Sequence, residues 1–320
     1  MSEKNLLTYK VTTKDTLKRA DTFIKEKFEN FTRSQIKKLI ESSNVKINDK
    51  IIKPSTKIEL KDKITIILPE LESTDLKPLN QSLDIKYENK DLIIINKPSG
   101  IVVHPSKGHQ NDTIINALIG MKIKFEPYLG KPKPWLVHRL DKDTSGLLMI
   151  AKNESTYNYL TKIQKDRMIK KQYMAIVQGI PNSSKAIIDA PIGRNKLNRK
   201  KMSIKKEGRH ALTEYEILKS KNNMSLLNIT LLTGRTHQIR VHMNFKGNPI
   251  LGDKSYGKSK KKFKKINPEI EERLNNFNRQ ALHAKSLGFI HPRTKKEFFF
   301  EAKRPDDFDI LIKSLKKASV

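Results

Sequence analysis

Residues 135 to 153, WLVHRLDKDTSGLLMIAKN, set a dense polar turn between two apolar runs, and the rest of the chain reads as scaffolding around it. Trp135, Leu136 and Val137 lead in as one strand, and Leu147, Leu148, Met149 and Ile150 lead out as another. Thr144-Ser145-Gly146 supplies the turn chemistry between them. Asp141, inside His138-Arg139-Leu140-Asp141, is thereby presented at a strand end. Pattern alone leaves two readings of Asp141 open. It is a turn former whose side chain caps its own backbone, or a lone nucleophile or base held by a neighbouring cation.

No apolar run in the chain exceeds strand length, and the N-terminus carries no charged start followed by an apolar core and cleavage site. A cytoplasmic protein without membrane association is the expectation. With 320 residues, about two domains are expected. The absence of cysteine excludes disulfides, thiolate nucleophiles and cysteine-ligated metal centres. The charge balance, 65 Lys and Arg against 34 Asp and Glu, favours a polyanionic partner through phosphate contacts. An overall Lys, Ile and Asn bias accounts for part of that excess, so clustering counts for more than the total. Residues 194 to 209, RNKLNRKKMSIKKEGR, hold eight cations and one acid. Such a run is either a flexible solvated loop or an electrostatic grip on a phosphate backbone, and its place between expected strands favours a hairpin-like arm on which Arg199, Lys200 and Lys201 meet RNA. Residues 258 to 265 form a second basic run.

Along the chain, Leu17, Ala20, Ile24 and Phe28 share one face of an expected first helix. Ile36, Leu39 and Ile40 share one face of a second, for which Thr32 and Gln35 offer a capping box. Val45 and Ile47 lead into an Asn48-Asp49 turn, and Ile58, Leu60, Ile64 and Ile66 extend short strands to Leu68. Residues 14 to 68 thus make a compact module, and the polar, proline-containing residues 69 to 82 read as a linker. From residue 83 the chain restarts with a hairpin of Asp84 to Tyr87 against Leu92 to Ile95 and a third strand at Ile101-Val102-Val103. A short helix capped by Asp112 or Thr113 follows. A helix from Asn153 or Ser155, a strand over 171 to 179, and strands at 213 to 218 and 224 to 232 come after the central stretch. Gly234 then permits a tight turn into a helix with His237, Arg240 and Val241 on one face. His237 and His242 are five apart, a poor spacing for a shared zinc ion, and no phosphate-binding loop, nucleophile elbow or dinucleotide fingerprint occurs.

Residues 14 to 68 resemble the small RNA-binding domain named after ribosomal protein S-four, through Arg19-Ala20-Asp21, the Arg33-Ser34-Gln35-Ile36 helix entry and the Val45-Lys46-Ile47-Asn48 hairpin. That resemblance implies phosphate contacts for Arg19, Arg33, Lys37 and Lys38. Residues 83 to 308 resemble the RluA/RluD family of RNA pseudouridine synthases. The motifs are HRLDKDTSGLLMIAKN, KKQYMAIVQG, LLTGRTHQIRVHM followed by PILGD, and ALHAKSLGFIHP, in that order. The VVHP and DTIINAL segments are most similar to members acting on large-subunit ribosomal RNA.

The resemblance implies an α+β protein with a mixed, largely antiparallel central sheet and flanking helices behind the small RNA-binding module. It implies catalytic roles for Asp141, Tyr173 and Arg240, and a role for Arg139 in displacing the target base. It makes His138, Arg235 and His237 candidates for RNA contact. No cofactor or metal is expected, the expected partner is ribosomal RNA, and the expected state is a monomer. Two rivals remain at this level: a non-catalytic RNA-binding or ribosome-assembly factor, and a synthase of the same chemistry acting on transfer RNA.

Overall fold

The computed structural model describes residues 6–28, 31, 33–67, 76–106, 108–128, 131–132, 134–257 and 268–315. The chain divides into two units, Met1–Asp75 with Phe125–Lys133 and Leu76–Lys124 with Pro134–Val320.

The smaller unit contains β1 (Leu6–Lys10), α1 (Ala20–Lys27), α2 (Arg33–Glu41), β2 (Val45–Ile47), β3 (Lys50–Ile51) and β4 (Lys63–Ile67). Its antiparallel sheet has the order β1-β4-β2-β3. Phe23 and Ile24 from α1, and Ile36, Leu39 and Ile40 from α2, bury the helical stripes that the 3.6-residue period sets up, against Val45, Ile64 and Ile66. Asn48 and Asp49 both have positive φ, 49° and 65°, as a tight hairpin turn between right-twisted strands requires. One element lies ahead of the expected module and one expectation is corrected. Leu6–Lys10 pairs along β4 as a strand. Leu17 is not on the first helix: with φ at 65° it is 73 % exposed. Its amide donates to Ile58 O and that of Ala20 to Thr56 O, so pairing with residues 56–58 delays the helix to Ala20. Thr32, half of the expected capping box, lies outside the described residues, as do 68–75 and the basic run 258–265.

The larger unit begins with β5 (Asp84–Glu88), β6 (Leu92–Lys97) and α3 (Ile114–Gly120). The short pair β7 (Pro127–Tyr128) and β8 (Lys131–Pro132) belongs to the smaller unit. There follow β9 (Trp135–Leu136), β10 (Ser145–Ala151), α4 (Glu154–Lys165), β11 (Lys170–Gln178), β12 (Lys185–Asp189), β13 (Ile192–Arg194), β14 (Met202–Ile204), β15 (Leu212–Lys221), β16 (Met224–Leu231), α5 (Gln238–Phe245), α6 (Pro268–Asn276), β17 (Leu282–Ile290), β18 (Glu297–Glu301) and α7 (Asp306–Ser314). The main sheet has the order β12-β15-β16-β11-β17-β10-β6-β5, with β18 on β17 and β9 on β10. Every pairing is antiparallel except β10 with β17. The fold is therefore α+β on a mixed, largely antiparallel sheet. The four-residue run Leu92–Ile95 and the whole of β10 are buried, which is why they read as unbroken apolar runs instead of alternating ones.

Two local expectations change. β10 starts at Ser145, so Ser145 and Gly146 belong to the strand and the turn is Asp141–Thr144, closed by Thr144 N to Asp141 O at 3.2 Å. Gly146 has φ at 111°, and a Cβ there would collide with the Ala284 carbonyl, so this glycine lets β10 and β17 come together. Ile101-Val102-Val103 is not a strand. The carbonyls of Val102 and Val103 accept from Ile114 N and Ile115 N, supplying partners for first-turn donors that helix α3 cannot satisfy internally. Lys77 O and Leu79 N, in the expected linker, bond to Asn116 of α3.

Candidate active site

Asp141 sits where β9 hands over to β10, and three anchors hold its turn. The buried Lys97, at the end of β6, donates to Pro98 O (2.7 Å), Ile101 O (2.9 Å) and Lys142 O (2.8 Å), so its ammonium satisfies three carbonyls around the residue after Asp141. Burial pushes Lys97 down to about 7, against the opposing pull of Asp143 and Asp141. Gln280 donates to Thr144 Oγ1 (2.6 Å), and Ser145 Oγ shares a hydrogen bond with His283 Nδ1 (2.9 Å), tying the turn's exit to the β17 side. His138 Nε2 accepts from the Met149 amide (3.1 Å), which fixes the ring as a neutral acceptor. Burial, helped by the Lys171 charge, lowers His138 to about 3. The ring therefore braces β10.

Helix α5 supplies the partner. Gln238 accepts from Arg235 N (2.9 Å) and Thr233 Oγ1 (2.8 Å) and donates to Leu212 O and Thr213 Oγ1, fixing the loop that enters the helix. His237 caps α5 in the left-handed region at φ 56°. Arg240, one turn later, donates through Nη1 to Asp141 Oδ2 at 2.8 Å. Its Nε and Nη2 form a two-pronged pair with Asp253 at 2.7 and 2.9 Å. Burial works to lower Arg240, but the bonds and charges of Asp253 and Asp141 win and raise it. For Asp253, burial works upward and the Arg240 bonds, with the amides of Ser255 and Tyr256, pull it below its ordinary range. Arg240 is thus a fixed cation between two carboxylates, one sealed and one facing the cleft. The side chain of Asp253 is fully buried, whereas that of Asp141 retains 19 % exposure.

His237 Nε2 lies 3.9 Å from the other Asp141 oxygen, and its Nδ1 shares a 2.8 Å hydrogen bond with the Tyr256 hydroxyl. Burial lowers His237 despite the Asp141 charge. Tyr256 also accepts from Met202 N (2.8 Å), which links the base of the β13–β14 hairpin to this histidine. Tyr173, on β11, is buried and lines the cleft beside Asp141. Burial first, and the Asp141 charge second, push its phenol well above the ordinary tyrosine range. Among the described residues its hydroxyl has no hydrogen-bond partner. A cavity of about 330 Å³ opens over these groups, lined also by Val137, His138, Arg139, Lys171, Arg235 and Thr236.

The structure brings Asp141, Tyr173, Arg240, Arg139, His138, Arg235 and His237 together around that cavity and its floor. Arg139 is exposed, while Arg235 spends one bond on His210 O (3.0 Å). The other cations lie elsewhere. Arg199, Lys200 and Lys201 sit on the loop joining β13 to β14, which is the expected hairpin arm. Arg33, Lys37 and Lys38 are exposed on α2, and Arg19 is exposed but held two-pronged by Asp21 at 2.8 and 3.0 Å. Lys37 also reaches Glu41. His242 spends both ring nitrogens, on Thr213 Oγ1 and Ala190 O. Asp253, Tyr256, Lys97 and Lys171 were not among the expected site residues. Asp253 closes the PILGD motif and Lys171 lies in KKQYMAIVQG, so these two carried a signal, whereas Lys97 and Tyr256 did not.

A buried acid–arginine pair under a cation-lined cleft, on this mixed sheet, is the build of an RNA-modifying enzyme. The comparisons narrow the class. Residues 91–245 match the family described as RNA pseudouridylate synthase, and residues 18–64 match the S4 domain. The chain is 38 % identical to an uncharacterized RNA pseudouridine synthase, YlyB, of Bacillus subtilis, over 93 % of this chain and 94 % of that protein. It is also 38 % identical to ribosomal large subunit pseudouridine synthase D of Haemophilus influenzae, over 93 % and 91 %. Human RNA pseudouridylate synthase domain containing 4 superposes with a TM-score of 0.55 at 27 % identity, over 73 % of this chain and 93 % of that one. The chain belongs to the RNA pseudouridylate synthase family.

Proposed function

We propose that this protein isomerises specific uridines to pseudouridine in large-subunit ribosomal RNA, with Asp141 as the essential group. The observation that carries the reading is the Arg240 clamp. It holds one Asp141 oxygen at 2.8 Å, is itself locked by Asp253, and leaves the carboxylate facing a cavity large enough for an extruded nucleotide. The relatives named for large-subunit RNA support the substrate class.

The target uridine leaves its stack, and Arg139, exposed at the cavity edge, occupies the gap. Asp141 then acts on the ribose, as nucleophile at the anomeric carbon or as base at the neighbouring one, and the glycosidic C–N bond breaks. The uracil turns and its C5 bonds to the anomeric carbon, displacing the Asp141 carboxylate in the first route or with Asp141 returning the ribose proton in the second; the C5 proton leaves and N1 ends protonated. Tyr173 stays a neutral phenol, because burial and the Asp141 charge both disfavour the phenolate, so it serves as a wall for the uracil and offers it a hydrogen bond while keeping its own proton. Arg240, fixed before substrate arrives, needs no reorganisation as charge moves.

Residues 14 to 68 serve as the S-four-like RNA-binding domain and residues 83 to 308 as the catalytic domain, joined by residues 69 to 82. Arg19, Arg33, Lys37, Lys38, Arg199, Lys200 and Lys201 contact phosphates, and His138, Arg235 and His237 shape the cleft against the RNA. One chain suffices, since every cleft residue comes from a single unit. The absence of cysteine fits a cytoplasmic setting.

The test is a pseudouridine map of total RNA, by carbodiimide labelling and primer extension, in cells carrying the wild-type protein or Asp141→Asn. Large-subunit sites lost only in the variant are the expected outcome, with turnover in vitro down at least about a thousandfold. A map unchanged despite normal expression would favour the docking-factor reading, and losses confined to transfer RNA would replace the substrate.

A further inference from the structure

Two buried lysines lie near the site, and they are bonded very differently. Lys97 gives its three donors to three carbonyls at 2.7 to 2.9 Å. Lys171, on β11 two residues before Tyr173, is 7 % exposed. Among the described residues it makes one hydrogen bond, a 3.3 Å contact to Gln164 Oε1, and no ion pair. An ammonium has three donors, and a buried one is costly to hold without an anion. Burial accordingly lowers Lys171 to about 8, with no acid opposing the shift.

Among the described residues lining the cavity, Asp141 is the one carboxylate. Lys171 lines the 330 Å³ cavity with His138, a neutral acceptor already spent on Met149 N, and with Arg139 and Arg235. Asp141 lines the same cavity but is held by Arg240. Gln164 is fixed by its own amide donating to Val137 O (3.1 Å), so it holds the ammonium in place without neutralising it. Opposite stands Gly234, where even a Cβ would come within 3.7 Å of Lys171 Nζ. The ammonium therefore borders the cavity beside Gly234 with donors left unused.

We infer that Lys171 is the anchor of an anion subsite that takes a backbone phosphate of the RNA strand beside the extruded nucleotide. This rests on the RNA-modifying reading of the same cleft and adds where the strand is gripped inside it. A phosphodiester oxygen supplies the missing acceptor and charge together, and Arg235 lines the same cavity with a guanidinium to add to it. Lys171 binds substrate by this account, whereas Lys97 shapes the turn.

The test measures binding of a five-residue oligouridylate to the full chain across a salt series, for wild type, Lys171→Met and Lys171→Gln, with thermal melts of each. Removing one phosphate contact from a single strand lowers the slope of log affinity against log salt by about 0.7. Expected are that loss of slope in both variants, roughly tenfold weaker binding at low salt, and melts equal to or above wild type, because an unpaired buried charge is gone. Weakened binding with the slope unchanged would assign the lysine to a neutral uracil oxygen and overturn the proposal. So would wild-type affinity and slope in a folded variant. Turnover on ribosomal RNA is followed in parallel. A slope loss in a chain that isomerises no uridine keeps the anion subsite and removes the synthase reading. Normal isomerisation with an unchanged slope removes only the subsite.

Discussion

The two units handle charge in opposite ways. In the smaller one, the core is apolar and the described cations of its helices face outward; Asp15, held by Thr12, Tyr9 and Lys27, is the sole ionised side chain buried among its described residues. In the larger one, Lys97, Lys171, Arg240 and Asp253 are all buried, with His242 and His283. Burying a charge costs several kcal/mol before its partners repay it, and around the cleft the buried groups supply the dry, fixed electrostatic environment that chemistry needs. The smaller unit needs only a firm platform for outward cations, and an apolar core supplies that.

The strongest way to break this contrast is Asp253→Ala. It leaves Arg240 with Asp141 as its single counter-ion, and about 3 to 5 kcal/mol of stability should be lost from the larger unit. Amide hydrogen exchange would locate the loss, and β1–β4 should keep wild-type protection. Faster exchange in both units would show that the separation is false. Lys97→Met comes next. Three carbonyls lose a donor, so a loss of about 2 to 3 kcal/mol is expected by urea denaturation. Turnover should fall more than RNA affinity, because the freed turn carries Asp141 and not a phosphate-binding group.

Acid sharpens the comparison further. Burial holds His138 near 3 and His283 near 4, and lowers His242, all below the ordinary histidine value. Between about pH 6.5 and 4 the unfolded chain therefore binds protons that the folded chain refuses, so stability is complete above that window and falls as pH drops through it. The slope is about 1.4 kcal/mol per pH unit for each such histidine. The smaller unit contains no histidine. Its lowered carboxylates, Asp15 and Asp21, lose their contribution only as pH falls below the ordinary carboxylate range. Protection from exchange, measured against the intrinsic rate at each pH, should therefore drop at pH 4.5 in β10 and β17 and not in β4. The smallest effect belongs to Arg19→Ala. Its pair with Asp21 is exposed, so the thermal melt should not move measurably. RNA affinity should drop uniformly across sequences, with a shallower salt dependence, if the side chain meets phosphate.

Much of this was legible before any coordinates. The helical stripes Phe23–Ile24 and Ile36–Leu39–Ile40, the β5–β6 hairpin, the Asn153 cap of α4 and the basic β13–β14 arm follow from period and turn chemistry, which act over a few residues. The motif resemblance carried Asp141, Tyr173 and Arg240, and the structure brings these three to one cleft. Leu17 was misplaced because its apolar side chain fits the helical period while its backbone pairs with a distant segment. Ile101–Val103 failed for a similar reason, its β-branched residues lending carbonyls to a helix start instead of a sheet.

By itself, then, the sequence determined the local elements, the excess of cations, the absence of thiol chemistry and the family's motifs, since each is written in neighbouring residues. Only the tertiary structure decided that β17 slots between β10 and β11, that Arg240 reaches across 99 positions to Asp141 while Asp253 locks it from behind, and that Lys171 is buried without an anion. Those are pairings between remote segments. Their geometry is set by how the sheet closes and which face each strand turns inward, so no local pattern records it.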